Sequence, residues 1–219
     1  MNRTIKYLVN DGLPLTFAVF YCVGLVLFFT PLTHNLFKLV TPYTLVLVTG
    51  AIFSHHKGWS LKTIAVLVSI FILSIIVEII GVSTGKLFGV YSYGKGLGYK
   101  IADVPVVIGL NWVFLVYTSN SIISKYTSKN IPIIIGAAVL MIVYDIILEK
   151  VAPLMDMWQF SANNPPLSNY AVWFLLALVF NAAIQYFKVN THNRPARWLF
   201  FVQFGFFVII IIHNLYIQK

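Results

Sequence analysis

Long apolar stretches separated by short polar connections dominate the chain. Each stretch is about 20 residues long, the length that a helix needs to cross the hydrocarbon core of a bilayer. Lipid offers no hydrogen bonds to an open backbone, so these stretches should be helices. The pattern predicts an all-α, polytopic membrane helix bundle with about seven transmembrane helices, in a single integral membrane domain over residues 1–219. The predicted spans are residues 13–31, 36–54, 61–80, 104–124, 131–149, 168–187 and 197–216.

The overall composition narrows the class of protein further. Hydrophobic residues make up 59% of the chain and charged residues only 10%, whereas soluble domains carry about 25% charged residues. A soluble globular enzyme and a disordered chain are therefore excluded. The formal net charge is +9, but on so apolar a chain the basic residues are better interpreted as anchors at the membrane surface than as a nucleic-acid site. A single cysteine, Cys22, excludes an internal disulfide framework and a cysteine zinc site.

The distribution of lysine and arginine predicts the orientation in the membrane. More of these residues flank the connections on the N-terminal side of the bundle than on the other side. The positive-inside rule then places the N-terminus in the cytoplasm and the C-terminus outside, in a multi-pass protein of the cell membrane. The two longest connections, residues 81–103 and 150–167, share the outer face, and they share one face whichever side it is. Long connections in a compact protein are usually functional.

The acidic residues are few and are concentrated in the middle of the chain. Five of the six fall between positions 78 and 156, and the predicted topology places all five in one leaflet or at its interface. An acid inside a membrane helix costs about 2.5–3.5 kcal/mol at the bilayer centre on insertion scales, and it indicates function by default. Ion pairing with nearby lysines at the water interface is the alternative interpretation. The five acids are Glu78, Asp103, Asp145, Glu149 and Asp156.

Asp145 and Glu149 are the most informative pair. They are four residues apart and therefore lie on one face of a helix. Two close carboxylates disfavour double ionisation, so one of them should hold a proton near neutral pH. A partly desolvated acid beside an ionised one can protonate a weak base and then help to activate water.

Aromatic residues accompany the acids. Six glycines between positions 81 and 98 permit tight turns and close backbone approach in the first long connection. The aromatic residues near the acids are either interfacial belt residues or the walls of an apolar cavity whose ring faces stabilise a carbocation. These candidates are Tyr91, Tyr93, Trp112, Trp158 and Trp173.

Three motifs at these positions resemble those of the membrane carotenoid biosynthesis proteins of the carotenoid 1,2-hydratase (bisanhydrobacterioruberin hydratase) type. Further matching positions are Leu97-Gly98, Val104-Pro105, Trp112 and Trp158, and the resemblance covers residues 74 to 175. The motifs are Glu78-x-x-Gly81-Val82-x-Thr84-Gly85-x-x-Phe88-Gly89-x-Tyr91-x-Tyr93, Asp145-x-x-x-Glu149-x-x-Ala152 and Asn169-Tyr170-x-x-Trp173.

The resemblance implies a cofactor-independent hydro-lyase that adds water across the terminal C1–C2 double bond of an acyclic carotenoid. A carboxylic acid protonates the alkene, and water captures the tertiary cation. Such a lipid-soluble substrate lives in the bilayer, and the reaction needs neither a cofactor nor a metal. Membrane lipid and other carotenoid-pathway enzymes are the expected partners, and nucleic acid is not one.

We expect the catalytic groups to divide into proton donors and proton acceptors. Asp145 or Glu78 is the expected donor to the alkene, and Glu149 or Asp103 the expected acceptor from the attacking water. The five aromatic candidates would shape the substrate pocket, and Asn169 would orient the water or a carboxylate.

Two other activities fit the same acids. A lycopene-cyclase-like isomerase also protonates a terminal alkene but then closes a ring. A proton-coupled transporter would use intramembrane carboxylates as well, although internal repeats, which are common in transporters, are not evident in the chain. A retinal protein is excluded because the last predicted span contains no lysine for a Schiff base.

Overall fold

In a computed structural model, seven α-helices account for most of the residues that the structure describes. The structure describes residues 13–217. Arg3, Lys6 and Lys219, which count toward the predicted orientation, and Asp11, the sixth acidic residue, lie outside the described residues. A short 3₁₀ turn, Pro31–Thr33, joins the first two helices. The helices are α1 Leu13–Phe29, α2 His34–Ser54, α3 Leu61–Thr84, α4 Val107–Ile123, α5 Asn130–Val151, α6 Leu167–Tyr186 and α7 Arg194–Ile217.

The helices confirm the predicted fold class, and they lie close to the predicted spans. Five of them, α2, α3, α5, α6 and α7, are long and apolar enough to cross a membrane, whereas α1 and α4 are apolar but shorter. Large apolar side chains such as Leu47, Ile72 and Val143 are exposed on the outside of the bundle, which suits a lipid solvent and not water. The protein is therefore a multi-pass membrane protein, and its sidedness remains a prediction.

Most of the predicted boundaries differ from the observed ones by a few residues, and two of the differences have a clear local cause. Helix α3 continues past residue 80 to Thr84 and ends at Gly85, whose backbone has a left-handed φ of 65° and whose N–H donates to the Gly81 carbonyl. Gly85 suits this end because glycine adopts the left-handed conformation without strain. Helix α4 begins at Val107 because Val104–Pro105 form a short strand before it.

Helix α4 is the centre of the bundle. It packs against α2, α3, α5, α6 and α7, and almost all of its residues are buried. Other helices therefore surround it, and side chains near its N-terminal end, such as that of Trp112, are completely buried in protein.

The two long connections form a cap over one end of the bundle. Strand β1, Tyr91–Tyr93, pairs antiparallel with β4, Trp158–Phe160, so that Tyr91 is opposite Phe160 and Tyr93 is opposite Trp158. Between them in sequence, β2, Lys100–Ile101, and β3, Val104–Pro105, form a hairpin. The β1–β4 pairing ties the connection after α3 to the connection after α5. This cap covers the end of the bundle where the acids were predicted.

Candidate active site

Three buried carboxyl groups come together beneath the cap. Glu78 on α3 and Asp145 and Glu149 on α5 are 3%, 0% and 6% exposed, and all three lie close enough to interact electrostatically. Among the described residues, no lysine, arginine or histidine forms an ion pair with any of them. The neighbouring Lys150 instead donates to the Asn164 side chain, at 3.3 Å. Interfacial ion pairing, the alternative interpretation of Glu78 and Glu149, is not what the structure contains.

Glu78 accepts three hydrogen bonds from aromatic side chains. The hydroxyls of Tyr91 and Tyr93 donate to its Oε2 at 2.6 and 2.8 Å, and the indole N–H of Trp112 donates to its Oε1 at 3.1 Å. Three donors on one carboxyl group favour its ionised form, because charge-assisted hydrogen bonds are the stronger ones. Three hydrogen-bond donors thus fix the position of the Glu78 carboxyl group inside an aromatic shell.

The cap strand explains how both tyrosines reach Glu78. Side chains alternate between the two faces of a strand, and in β1 Tyr91 and Tyr93 are buried while Ser92 is exposed. Burial and, next in weight, the negative charge of Glu78 raise the pKa of both phenols above the ordinary value of 10.0. Both hydroxyls therefore keep their protons and remain hydrogen-bond donors at neutral pH.

Asp145 and Glu149 form a second group around Asn169. The Asn169 side-chain N–H₂ lies 3.4 Å from Asp145 Oδ2 and 3.4 Å from Glu149 Oε1, and the Trp158 indole donates to Glu149 Oε2 at 2.9 Å. Asp145 Oδ1 is buried and has no hydrogen-bond partner. Two donor groups, the Asn169 amide and the Trp158 indole, thus serve two carboxyl groups, whereas Glu78 alone has three donors. One oxygen of the second group, Asp145 Oδ1, is left without a partner.

A small chamber separates these groups. Its free volume of about 10 Å³ is close to what a single water molecule requires. Glu78, Glu149 and Asn169 line it together with Ile108 and a set of aromatic residues. These are Phe88, Tyr91, Tyr93, Trp158, Phe160 and Trp173.

An apolar groove of about 360 Å³ adjoins the chamber. Ile108 and Trp158 line both spaces, so the groove and the chamber share a wall. The groove runs between α1, α2, α4 and α7 and the end of α5, and it reaches the outer surface of the bundle at the exposed residues Val23, Tyr43 and Leu47. A lipid-soluble molecule can enter there with one end toward the carboxyl groups.

Most predicted site residues meet at the chamber, and Asp103 does not. Asp103 is exposed in the turn of the β2–β3 hairpin, with a φ of 63°, and it does not line the chamber. Trp112 does not line it either, but it reaches Glu78 and stacks on Trp173 with ring centroids 4.0 Å apart. Asp156, in the cap, accepts a hydrogen bond from the Lys95 backbone N–H at 3.3 Å.

Phe88, Phe160 and Ile108 also line the chamber, although they were not among the predicted site residues. Phe160 could have been found, because it lies two residues after Trp158 and therefore on the same face of an extended strand. The residues of α1, α2 and α7 that line the groove carried no sequence signal other than hydropathy. Within residues 13–217, no group of three or more His, Cys, Asp and Glu side chains is arranged to hold a metal ion.

Comparisons with known proteins identify the family. No curated protein and no solved structure is significantly similar to the chain. A family model described as "Carotenoid biosynthesis protein" matches residues 37–218, a range that includes every residue of the chamber. The chain therefore belongs to the carotenoid biosynthesis protein family.

Proposed function

We propose that this member of a carotenoid biosynthesis family is a hydratase that adds water to the terminal C1–C2 double bond of an acyclic carotenoid. The observation that carries the proposal is the water-sized chamber lined by Glu78 and Glu149 at the end of an apolar groove. Hydration of an unactivated alkene needs a proton donor, a stabilised cation and one water, and each has a counterpart in this arrangement.

The groove suits a stiff polyene without polar groups. Its volume falls in the range of about 300–1,000 Å³ that is typical of ligand pockets. It therefore takes the end of a carotenoid while the remainder of the chain lies along the bundle. Ile108 and Trp158 line both spaces, so a terminal alkene at this end of the groove lies next to the chamber and its carboxyl groups.

The Asp145–Glu149 pair supplies the proton. Two close, buried carboxyl groups without an ion-pair contact cannot both ionise at low cost, so we assign one shared proton to the pair; the charge of Lys150 acts on Glu149 from outside it. Glu149 lines the chamber and Asp145 does not, which makes Glu149 the group that transfers the proton to the less substituted alkene carbon. Glu149 carries the proton before the reaction, and Asp145 behind it is the second carboxyl group, which makes ionisation of Glu149 costly.

Glu78 and the aromatic rings stabilise the tertiary cation that forms. The carboxylate is held in place by Tyr91, Tyr93 and Trp112, so its charge is aimed before the reaction begins, as preorganised electrostatic catalysis requires. The ring faces of Trp158 and Trp173 add cation–π attraction.

Water completes the reaction and restores the enzyme. A single water in the chamber forms a C–O bond to the tertiary carbon, and the proton that it loses returns to the Asp145–Glu149 pair. The product is a tertiary alcohol, and no redox equivalent is consumed.

Expression in a lycopene-producing host tests the proposal. Chromatography and mass spectrometry of the pigments should show a product that is heavier than lycopene by one water. A new pigment of unchanged mass would instead identify a cyclase-like isomerase, and unchanged lycopene would contradict hydration of this substrate. The Glu149→Gln variant, expressed to the same level, should give no hydrated product.

A further inference from the structure

Three buried polar side chains in the groove lack hydrogen-bond partners. Tyr21 on α1, Asn111 on α4 and Gln203 on α7 are 6%, 7% and 8% exposed, and all three line the groove. The Tyr21 hydroxyl, the Asn111 Nδ2 and the Gln203 Oε1 have no partner. Buried polar atoms in native proteins are nearly always hydrogen-bonded, so three orphans from three helices around one cavity call for an occupant.

The other polar side chains of the groove do not share this property. The hydroxyls of Thr41 and Thr44 donate to carbonyls of their own helix, Phe37 O at 2.8 Å and Val40 O at 3.1 Å. The Trp158 indole N–H is used by Glu149. Tyr43 is 68% exposed at the mouth of the groove. The buried, unmatched polar atoms of the groove thus belong to Tyr21, Asn111 and Gln203.

The chemistry of the orphan atoms defines the ligand group. Asn111 Nδ2 can only donate, Gln203 Oε1 can only accept, and the Tyr21 hydroxyl can do either. A hydroxyl can both donate and accept and so satisfies both kinds of partner, whereas a carbonyl or an ether can only accept. None of the described lining residues is Lys or Arg, so a phosphate or carboxylate would be buried there without a counter-charge.

We propose that Tyr21, Asn111 and Gln203 form a hydroxyl-binding subsite in the groove, and that its ligand is an acyclic polyene with a tertiary hydroxyl near one end. This ligand class rests on the proposed function, because hydration in the adjoining chamber makes such an alcohol from a substrate that has no polar group. Asn111 follows Ile108 by one helical turn, and Ile108 lines both the chamber and the groove. The alcohol therefore reaches the subsite by withdrawing from the chamber along the groove.

The subsite gives the groove a preference for product over substrate. The apolar walls bind both molecules alike, but only the alcohol satisfies the orphan atoms. A hydrogen bond changes affinity by up to about tenfold, so we expect the alcohol to bind about tenfold more tightly than the parent hydrocarbon. This preference draws the hydroxylated end out of the chamber and frees the carboxyl groups for another alkene.

Binding measurements with the full chain in lipid nanodiscs test the subsite. The probes are lycopene and 1-hydroxylycopene, and the signal is quenching of tryptophan fluorescence by the bound polyene. We expect Gln203→Leu and Asn111→Leu to abolish the preference for the alcohol without weakening lycopene binding. Tyr21→Phe, which removes one oxygen and keeps the ring, should reduce the preference and provides the test if a leucine variant does not fold.

The matched control is Thr44→Val, which removes a hydroxyl from the same groove that is already bonded to its own helix. It should keep the full preference. Equal affinity of the wild type for the two probes, as expected if the orphan atoms hold only water, would overturn the subsite. So would an undiminished preference in the Gln203 and Asn111 variants. Because binding needs no turnover, a failure to hydrate lycopene would count against the proposed function alone.

Discussion

Replacement of Glu78 by glutamine tests the electrostatic core of the proposed mechanism. The amide has nearly the same shape as the carboxylate, but it carries no charge and has one acceptor oxygen instead of two. In the wild type, one carboxylate oxygen accepts from two tyrosines and the other from Trp112. Whichever way the amide is turned, its N–H₂ group faces at least one of these donors.

The expected loss follows from the three bonds. A hydrogen bond to a charged group is stronger than a neutral one by about 1 kcal/mol, so three of them amount to about 3 kcal/mol. If this energy serves to fix a negative charge against the developing cation, the rate should fall about 10²-fold, at about 1.36 kcal/mol per factor of ten. The value agrees with the losses of about 10²–10³-fold that follow removal of a preorganised electrostatic group in other enzymes.

The assay is conversion of lycopene by membranes that contain equal amounts of wild-type or Glu78→Gln protein, followed by chromatography. Asp103→Asn is the matched control, because it makes the same acid-to-amide change at the same end of the bundle in an exposed turn. It should retain full activity, since asparagine also tolerates the left-handed conformation of residue 103. Activity of Glu78→Gln within a few-fold of the wild type would refute the assignment of Glu78 as a catalytic anion.

Three further predictions concern the cap and its aromatic donors. Trp158→Phe keeps a ring at the chamber but removes the N–H that donates to Glu149. The rate of hydration should therefore fall about tenfold while membrane insertion is unchanged. Full activity in the pigment assay would exclude a role for this hydrogen bond. Gly94→Ala should destabilise the cap and lower the thermal unfolding temperature, because a Cβ there would collide with the Asp156 backbone and side chain, whereas Gly50→Ala has free space around it and should be tolerated. Because the pKa values of Tyr91 and Tyr93 are raised, the folded protein keeps these protons at a pH where the unfolded chain loses them. The stability should therefore be full below pH 10.0 and fall as the pH rises beyond it. In thermal unfolding between pH 8 and 11 (about one unit below to one above the free phenol value), the Tyr91→Phe, Tyr93→Phe double variant should show a shallower fall, and an equal slope would contradict this linkage.

Hydropathy determined the helical architecture. A bilayer requires every spanning segment to satisfy its own backbone, so apolar length alone located α1 to α7 to within a few residues. Because successive spans cross the membrane in opposite directions, their order then placed Glu78, Asp145, Glu149 and the two long connections at one end of the bundle. The spacing of Asp145 and Glu149 also fixed their common helix face, since positions four apart are neighbours on a helix.

The tertiary structure decided which of these groups belong to the site. Topology assigns each residue a depth in the membrane but not a direction around the helix axis, so Asp103 and Glu149 were equivalent by depth although one is exposed and the other buried. The pairing of β1 with β4 joins segments distant in sequence and turns Tyr91 and Tyr93 from interfacial candidates into donors to Glu78. The groove and its three orphan polar atoms arise only where α1, α4 and α7 meet, because a cavity is a property of packed surfaces and no single segment encodes it.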